Sequence, residues 1–318
     1  MPQIVVLGEA LIDIFAEKGL PLRAAQTLYP SPGGAPANVA VALARLGADV
    51  GFIGKVGVDD YGSYLIDLLA GEGVDAAHFV PDSHAPTMLA IVAVPSASEQ
   101  QFILYNGASA LLEPAELSQT YITAARLFVF GSVTLASASR AAALQAAKWT
   151  REAGNHVVFD VNLRPLLWPN LEIAGQKIEE ALEIATIVKL NETELEFLTG
   201  ETDPGRGSRR LVETGVQLCC VSLGADGAYF NNGTVQGLVP GFAIELQDTT
   251  GSGDAFVAGL SFQLNNLDQR IKDLDEAALR QIVRFANACG GLAATRLGAM
   301  SALPTLNEVE QLLQKTIN

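Results

Sequence analysis

Short apolar runs alternate with segments of helical spacing through the middle of the chain. The runs at 127–130, 156–160 and 187–190 are mainly apolar, and the segments at 138–154 and 173–185 between them have a helical pattern. Continuous apolar strands are typical of parallel sheets, because helical crossovers cover both faces of such a sheet. The sequence therefore predicts an α/β fold with a mostly parallel central sheet between two helical layers.

Other elements follow from the same patterns. They predict strands at 4–7, 50–55, 216–223 and 242–246, and helices at 57–71, 255–264 and 277–294. The stretch 85–108 differs, since strand-like runs at 87–94 and 101–105 flank a polar turn at 95–100 and indicate a hairpin. With a strand expected within 13–29, the hairpin predicts a small separate sheet; the alternative is an irregular insertion. We expect the central sheet and this small sheet to lie within a single domain spanning 1–318.

The composition excludes several classes of partner. The 318 residues carry a formal net charge of −15, whereas nucleic-acid binding requires a basic face. No apolar run reaches the ~18 residues of a membrane span, and the apolar start leads into Gly8 and Glu9 without the pattern of a signal peptide. The three cysteines, an odd number, suit a reducing compartment. We expect a cytoplasmic protein with small-molecule partners and neither nucleic-acid nor membrane partners.

The stretch 248–256 places two glycines where a strand gives way to a helix. It reads Asp-Thr-Thr-Gly-Ser-Gly-Asp-Ala-Phe. The first N–H groups of a helix have no partner and carry partial positive charge, so a glycine turn that makes them converge forms an anion site. Asp254 lies inside this donor cluster, either as a first-turn cap or as a base beside a bound phosphate. The stretch is neither a Walker A loop nor a dinucleotide-binding fingerprint.

Two polar side chains near the N-terminus are surrounded by apolar residues. Asp13 is a lone acid between apolar neighbours, which is typical of an outward-facing strand residue. Gly33 and Gly34 form a turn before a small-residue helix, and Asn38 lies in the apolar start of that helix. Tight helix packing explains the alanines of this segment but does not explain Asn38.

The stretch 248–256 closely resembles the C-terminal signature of the ribokinase-like (PfkB) carbohydrate kinases, and the segment 33–40 is similar to their N-terminal signature, Gly-Gly-x-x-x-Asn-x-Ala. The resemblance covers residues 4 to about 304. It implies a ribokinase-like three-layer sandwich, with the small sheet formed by about 13–29 and 85–108 as a lid over the sugar. It implies Asp254 as the catalytic base, the amides of Gly251, Ser252 and Gly253 as an anion hole, and Asp13, Gly33, Gly34 and Asn38 as sugar ligands.

Three runs, at 105–110, 130–133 and 160–169, look most like fructokinases and the neighbouring 2-keto-3-deoxygluconate kinases. This resemblance implies Tyr105, Asn162 and Arg164 as further sugar ligands. Arg164 has two other interpretations, a structural ion pair and a phosphate ligand, because its guanidinium suits any of these partners.

The resemblance also implies ATP, magnesium and, in some relatives, potassium. Its nucleotide-binding positions are Lys189, Asn191, Ser222, Gly224, Asp226, Gly227, Gly253 and Asn287. Asn191 and Glu194 match an Asn-x-x-Glu element that organises magnesium, although an acidic first turn is also ordinary helix capping. The potassium ligands would be Asp248, Thr250, Ala293, Arg296 and Gly298. Ala302 departs from this pattern, since some relatives have serine there.

The implied activity is ATP-dependent phosphorylation of a sugar hydroxyl, converting D-fructose to fructose 6-phosphate. The alternatives are 2-keto-3-deoxygluconate, ribose or a nucleoside as substrate, and a sugar-binding regulator without catalytic activity as a different class. The strand pair at 87–105 offers an exposed sheet face. We therefore expect a homodimer formed through the lid.

Overall fold

The computed structural model describes residues 1–96, 99–267 and 269–315. Its strands alternate with helices along most of the chain. They are β1 (Ile4–Leu7), β2 (Leu11–Ala16), β3 (Leu28–Gly33), β4 (Val50–Gly57), β5 (Asp75–Asp82), β6 (Leu89–Ser96), β7 (Glu99–Tyr105), β8 (Leu127–Gly131), β9 (His156–Asp160), β10 (Ile187–Asn191), β11 (Leu218–Ser222), β12 (Ala228–Asn231) and β13 (Gln236–Val239).

The α-helices lie mainly between the strands. They are α1 (Ala35–Arg45), α2 (Asp60–Gly71), α3 (Gln119–Ala124), α4 (Ser132–Leu135), α5 (Arg140–Glu152), α6 (Leu171–Leu182), α7 (Glu192–Thr199), α8 (Pro204–Glu213), α9 (Ser252–Asn265), α10 (Glu276–Ala293) and α11 (Leu306–Lys315). Within the described ranges, none of them combines the length and the apolar character needed to cross a membrane.

Nine strands form the central sheet, in the order β13-β12-β11-β10-β9-β8-β1-β4-β5. The pairs from β11 through β10, β9, β8, β1 and β4 to β5 are parallel. At one edge, β12 pairs antiparallel with both β11 and β13. The prediction of a mostly parallel sheet is therefore confirmed.

Successive residues of the central strands point to opposite faces of the sheet, as strand geometry requires. In β1, Ile4 and Val6 pack in one apolar cluster, with α1, α2, α9, α10 and α11. Val5 and Leu7 pack in the other cluster, with helices α3 to α8. This double coverage explains why the strands read as continuous apolar runs, and it confirms the predicted three-layer arrangement.

Four strands form a second, smaller sheet in the order β3-β2-β6-β7. β2 pairs antiparallel with β3 and parallel with β6, and β6 pairs antiparallel with β7. The predicted hairpin and separate sheet are thus confirmed. β3 ends at Gly33, beyond the expected limit of residue 29. The predicted turn at 95–100 is shorter than expected, and residues 97 and 98 in it lie outside the described residues.

The strand predicted at 242–246 is wrong, because residues 240–247 form neither strand nor helix. β13 ends at Val239, and Pro240 follows it without an N–H group to continue the ladder. Phe242 instead packs against the core, with the Arg284 guanidinium 5.5 Å from the centre of its ring. The apolar alternation of this segment therefore reflects contacts with helices rather than strand pairing.

Candidate active site

The carboxyl ends of the central strands form a crevice beside β1. The chain order proceeds outwards from β1 in opposite directions, through β4 on one side and β8 on the other. Ligands of open α/β sheets bind at such a switch point. Glu9 follows β1, while Asp160 ends β9 and Asn191 ends β10. The crevice therefore collects the polar side chains that follow three different strands.

Helix α9 begins at this crevice with unpaired backbone donors. Its cap, Gly251, has a φ of 79°, in the left-handed region that glycine adopts without strain. The N–H group of Ser252 donates to the Thr249 carbonyl at 3.1 Å. Among the described residues, no acceptor contacts the N–H groups of Gly251, Gly253 or Asp254. Of the predicted donors, the amides of Gly251 and Gly253 are therefore available to an anion, whereas that of Ser252 is engaged.

The Asp254 carboxyl is buried and is held by a residue from the other end of the chain. The side-chain amide of Asn38 donates to Asp254 Oδ2 at 2.8 Å. Burial raises the pKa of Asp254 to about 6, against the lowering effects of Asn38 and of Lys189 and Arg164. The helix start favours the charged form, but burial has the larger effect. Asp254 is therefore ionised at neutral pH and becomes protonated just below it.

Lys189 lies behind the start of α9. Its ammonium forms a buried ion pair with Asp160 at 3.1 Å, and a Cβ atom built on Gly253 would lie 3.0 Å from the same nitrogen. Burial lowers the pKa of Lys189, but the charges of Asp160, Glu194 and Asp254 outweigh that effect, so the pKa is raised. Lys189 is therefore a permanent cation beside the unpaired amides. Sequence reasoning gave Asp160 no role, because a single acid at the end of a strand has no spacing signal.

Asp13 lies on β2 in the small sheet, next to the Gly-Gly turn. A Cβ atom built on Gly33 would lie 2.0 Å from Asp13 Oδ2, which leaves glycine as the residue that fits. Burial, and then the charge of Asp254, raises the pKa of Asp13 to about 6, while Arg164 opposes this. Asp13, Arg164 and Asp254 thus lie within electrostatic reach of one another.

The other predicted sugar ligands differ in how closely they approach this group. Gly34 has a φ of 103°, and a Cβ atom there would lie 2.4 Å from the Glu9 carbonyl oxygen. Asn162 has a φ of 33°, and its carbonyl accepts from Ser132 Oγ at 3.3 Å. Tyr105 ends β7 with 53% of its surface exposed and, within the described part of the chain, forms no hydrogen bond with the other predicted ligands.

Glu9 is a site residue that the sequence reasoning missed. Its side chain is buried, and among the described residues Oε2 has no hydrogen-bond partner. Burial raises the pKa of Glu9 to about 8, with a smaller contribution from Asp254 in the same direction. A single acid after a strand has no spacing signal, so only the structure reveals its position.

The predicted magnesium pair forms a reciprocal helix cap. Asn191 Oδ1 accepts from the Glu194 amide at 2.9 Å, and Glu194 Oε2 accepts from the Asn191 amide at 2.8 Å. Glu194 Oε1 also accepts from the Leu163 amide at 2.7 Å. In the described ranges, no three acidic, histidine or cysteine side chains cluster as metal ligands.

The predicted nucleotide loops meet at the end of β13. Asn287 donates to the carbonyls of Val239 and Pro240 at 3.0 and 3.3 Å. A Cβ atom on Gly227, whose φ is 101°, would lie 2.1 Å from the same Val239 oxygen. Three other residues of the set precede Gly227 in the chain: Gly224 and Asp226 lie in a 3₁₀ turn, and Ser222 Oγ donates to the Leu190 carbonyl at 3.3 Å. Lys189, Asn191 and Gly253 lie instead at the crevice beside the start of α9.

The predicted potassium ligands lie around Asp248. Its Oδ1 accepts from the amide and hydroxyl of Thr250 at 3.0 and 2.6 Å, and its Oδ2 accepts from the Gly298 amide at 3.0 Å. Arg296 forms an ion pair with Glu308, and its N–H group donates to the Ala293 carbonyl at 3.4 Å. Asp248 therefore joins the loop before α9 to the loop after α10, whether or not a cation binds there.

The fold and this crevice define a carbohydrate kinase. A family profile described as pfkB family carbohydrate kinase matches residues 1–306, and the chain belongs to that family. It is 39% identical over 316 residues to Fructokinase-2 of Solanum lycopersicum, covering 98% of this chain and 96% of that protein. The resemblance inferred from the two signatures is thereby confirmed.

Solved structures agree over the whole length. The fructokinase with bound ATP from Xylella fastidiosa has a TM-score of 0.91 and 34% identity, with 100% of both chains covered. A fructokinase double mutant from Vibrio cholerae O395, in a form with fructose, ADP and a potassium ion bound, has a TM-score of 0.87 and 32% identity, with 98% of both chains covered. The ribokinase-like fold class is therefore confirmed.

Proposed function

We propose that this protein transfers the terminal phosphoryl group of ATP to the 6-hydroxyl of D-fructose, with Asp254 as the general base. The observation that carries the proposal is the position of Asp254, a buried carboxylate held by Asn38 next to the unpaired amides that start α9. The relatives support the choice of substrates, since one is named as a fructokinase with bound ATP and another as a fructose- and ADP-bound form.

In this mechanism Asp254 takes the proton of the sugar hydroxyl as its oxygen attacks the phosphorus atom. A pKa of about 6 suits that task, because the carboxyl is ionised at neutral pH and still basic enough to accept a proton. The free amides of Gly251, Gly253 and Asp254 stabilise charge on the phosphoryl oxygens, as an oxyanion hole does. Lys189 adds a positive charge beside Gly253.

Sugar binding is assigned to the buried polar groups around Asp254. Asn38 donates to Asp254 through its nitrogen, while Oδ1 is buried and, within the described residues, has no partner. That oxygen is available to a sugar hydroxyl. The carboxyl of Asp13 and the backbone at Gly33 and Gly34 lie on the small-sheet side, where closing the sheet over the sugar would exclude water.

Two ions belong to this proposal. Magnesium would neutralise the triphosphate, with Asn191 and Glu194 orienting its water shell. Potassium would add positive charge near the loop that Asp248 holds, and one solved relative has potassium bound. A cytoplasmic location is proposed because Cys219, Cys220 and Cys289 are all free and buried.

One observation favours 2-keto-3-deoxygluconate as a second candidate substrate. Arg164 is exposed, and its Nη1 donates to the carbonyl of the neighbouring Leu163 at 3.3 Å. The remaining nitrogens of the guanidinium can bind a substrate carboxylate. The fructokinase relatives nevertheless make the neutral sugar our first choice.

A coupled assay of ADP release with D-fructose, 2-keto-3-deoxygluconate and D-ribose tests this proposal. We expect kcat/KM to be highest for fructose by a factor of at least ~10, the scale of one discriminating contact. Arg164→Gln is the matched variant, because it should reduce any turnover of the keto acid far more than that of fructose. Higher turnover of the keto acid would change the substrate but not the enzyme class, whereas absence of turnover with every sugar would contradict the kinase.

A further inference from the structure

A cavity of about 610 Å³ lies between the small sheet and the carboxyl ends of β1 and β8. Phe102 and Leu104 of β7 line it on one side, and Glu9 and Thr134 line it on the other. This volume is in the range of small-molecule sites. The main-body side also carries apolar side chains, among them Val133 and Leu167, so Glu9 and Thr134 are polar residues in a mainly apolar lining.

Two polar atoms of the main-body wall lack a hydrogen-bond partner. Within the described residues, Glu9 Oε2 and Thr134 Oγ1 are buried without a partner, and each residue is 5% exposed. Ser137 on the same wall is satisfied, because its hydroxyl donates to the Thr134 carbonyl at 2.9 Å. A buried polar atom without a partner is costly, and such atoms are rare in folded proteins. A Cβ atom built on Gly8 would lie 3.0 Å from Thr134 Oγ1. The hydroxyl therefore packs against the backbone segment that carries Glu9.

Glu9 also connects this cavity to the Asp254 cluster. Its charge interacts with those of Asp254 and Arg164, and its carbonyl oxygen lies at the Gly34 turn. A sugar with its reactive hydroxyl at Asp254 would therefore extend past Glu9 into the cavity. The apolar side chains of the lining would face carbon atoms, and the two unsatisfied oxygens would face hydroxyls.

We infer that Glu9 and Thr134 are specificity-determining residues that bind hydroxyls at the end of the sugar opposite the phosphorylated one. The inference rests on the proposed function and adds residues that neither signature contains. For D-fructose phosphorylated at its 6-hydroxyl, the opposite end carries the 1-hydroxyl. The hydroxyl of Thr134 and the carboxyl of Glu9 would form hydrogen bonds with hydroxyls at that end of the sugar.

The protonation state of Glu9 fits this role. Its pKa is raised to about 8 by burial, so below that pH the carboxyl is neutral and both donates and accepts a hydrogen bond. The charged groups that face it are Asp254 from α9, Arg164 from the segment after β9, and Asp160, which shares a second cavity with it. As the pH rises above about 8, Glu9 ionises, loses its donor and should bind a sugar hydroxyl less well.

A bound water is the competing explanation for the orphaned Glu9 oxygen. The second cavity, of about 20 Å³, is lined by Glu9, Asp160 and Asn162, and it is large enough for one water molecule. If that water alone satisfies Glu9, substitutions of Glu9 will alter stability without altering the recognition of the sugar. The test must therefore measure sugar binding separately from folding.

The test is calorimetric binding of D-fructose and of 1-deoxy-D-fructose to the full chain without ATP. Glu9→Met and Thr134→Val keep the side-chain volume and remove the hydrogen-bonding group. Glu9→Gln restores a neutral group that donates and accepts. Thr150→Val is the matched control, because it removes a buried hydroxyl that donates to the Ala146 carbonyl within α5 at 2.9 Å. Thermal unfolding of each variant checks that it folds.

We expect Glu9→Met and Thr134→Val each to weaken fructose binding by about 5- to 100-fold, the effect of one unmade hydrogen bond. At least one of them should no longer distinguish fructose from the deoxy sugar. Glu9→Gln should restore binding and remove its decline above about pH 8. Unchanged fructose affinity in folded Glu9→Met and Thr134→Val proteins would overturn the inference alone. A wild-type protein that does not bind fructose would overturn the proposed substrate itself.

Discussion

The amide nitrogen of Asn38 lies 2.8 Å from Oδ2 of Asp254, although the two residues are 216 positions apart in the chain. Asn38 lies in the first turns of α1 and Asp254 in the first turn of α9, and the two helices pack in the same apolar cluster. One hydrogen bond thus orients the carboxylate and leaves Asn38 Oδ1 without a partner among the described residues. The orientation of the proposed base depends on how these two helices pack.

This contact predicts how activity depends on pH. Asp254 has a pKa raised to about 6 and must be ionised to act as a base, so kcat/KM should fall as the pH drops through about 6. Burial raises the pKa of Asp13 to about 6 as well. The fall of kcat/KM at acidic pH, which is the acidic limb of the pH profile, therefore reflects protonation of both carboxyls. Asn38→Leu removes a hydrogen bond that lowers the pKa of Asp254, so the limb should move to higher pH.

The measurement is kcat/KM for the wild type and Asn38→Leu from about pH 5 to about pH 9. Asn232→Leu serves as a control, because its buried amide donates to the Ile271 and Leu274 carbonyls, among residues other than those of the crevice. An acidic limb at the same pH in wild type and Asn38→Leu would show that this hydrogen bond does not tune the base.

The sequence predicted several residues of the site but not the hydrogen bonds between them. The glycine at 251, the donors at the start of α9 and the polar Asn38 are visible because each is unusual in its own segment. The partners of these groups were not visible. The hydrogen bond from the Ser252 amide to the Thr249 carbonyl depends on the path of the loop. The hydrogen bond from Asn38 to Asp254 depends on the packing of two helices.

Fold prediction succeeded where an apolar pattern has one structural explanation, and failed where it has two. Continuous apolar runs identified the central strands because both of their faces are covered. The segment 242–246 instead has large apolar residues at alternate positions, and this alternation reflects the packing of Phe242 beside α10 after Pro240 rather than strand pairing. Glu9 and Asp160 carry no spacing signal, because each is a single acid whose role comes from the strand beside it.

Glu194→Gln separates the magnesium role from helix capping. Both carboxylate oxygens accept from backbone amides, and an NH₂ group would face a donor at one of them. We therefore expect the free energy of unfolding to fall by about 1–3 kcal/mol, the cost of an unmade buried hydrogen bond. If Glu194 also orients magnesium, the magnesium concentration for half-maximal rate should rise while fructose affinity stays nearly the same.

Magnesium titrations of the rate, fructose calorimetry and thermal unfolding measure these effects on the same preparations. Glu308→Gln is a useful comparison, since Glu308 Oε2 likewise accepts from a backbone amide, that of Thr305, at 2.8 Å. A loss of stability with an unchanged magnesium requirement would identify Glu194 as a helix cap without a role in metal binding.

The edge of the small sheet leads to a prediction about assembly. β3 is an outer strand of that sheet, and Leu28 and Tyr29 on it are 44% and 54% exposed. An exposed edge strand with apolar side chains is suited to pairing with another chain. We expect a homodimer at micromolar concentration by light scattering, and a monomer for Tyr29→Lys. A monomeric wild-type mass would contradict the prediction, whereas a dimeric Tyr29→Lys protein would indicate a different interface.

Asp254→Asn should separate catalysis from stability more sharply than any other change in the crevice. Asparagine keeps the size of the side chain but cannot take the sugar proton, so kcat should fall by ~10²–10⁴ with little change in fructose or ATP affinity. The folded protein also holds Asp254 with a pKa above its unfolded value. The contribution of the neutral carboxyl to the free energy of unfolding is therefore lost as the pH rises through about 6. At neutral pH the buried carboxyl is charged, which lowers the stability of the folded protein.

The Asp254→Asn protein should consequently be more stable than the wild type at pH 7, by about 1–3 kcal/mol, with little difference near pH 3. Asp248→Asn is the opposite case in the same loop, because hydrogen bonds from Thr250 and Gly298 hold the pKa of Asp248 below its ordinary value. That variant should lose stability at pH 7. Turnover at the wild-type rate by Asp254→Asn would reduce this carboxylate to a helix cap, and the proposed mechanism would be wrong.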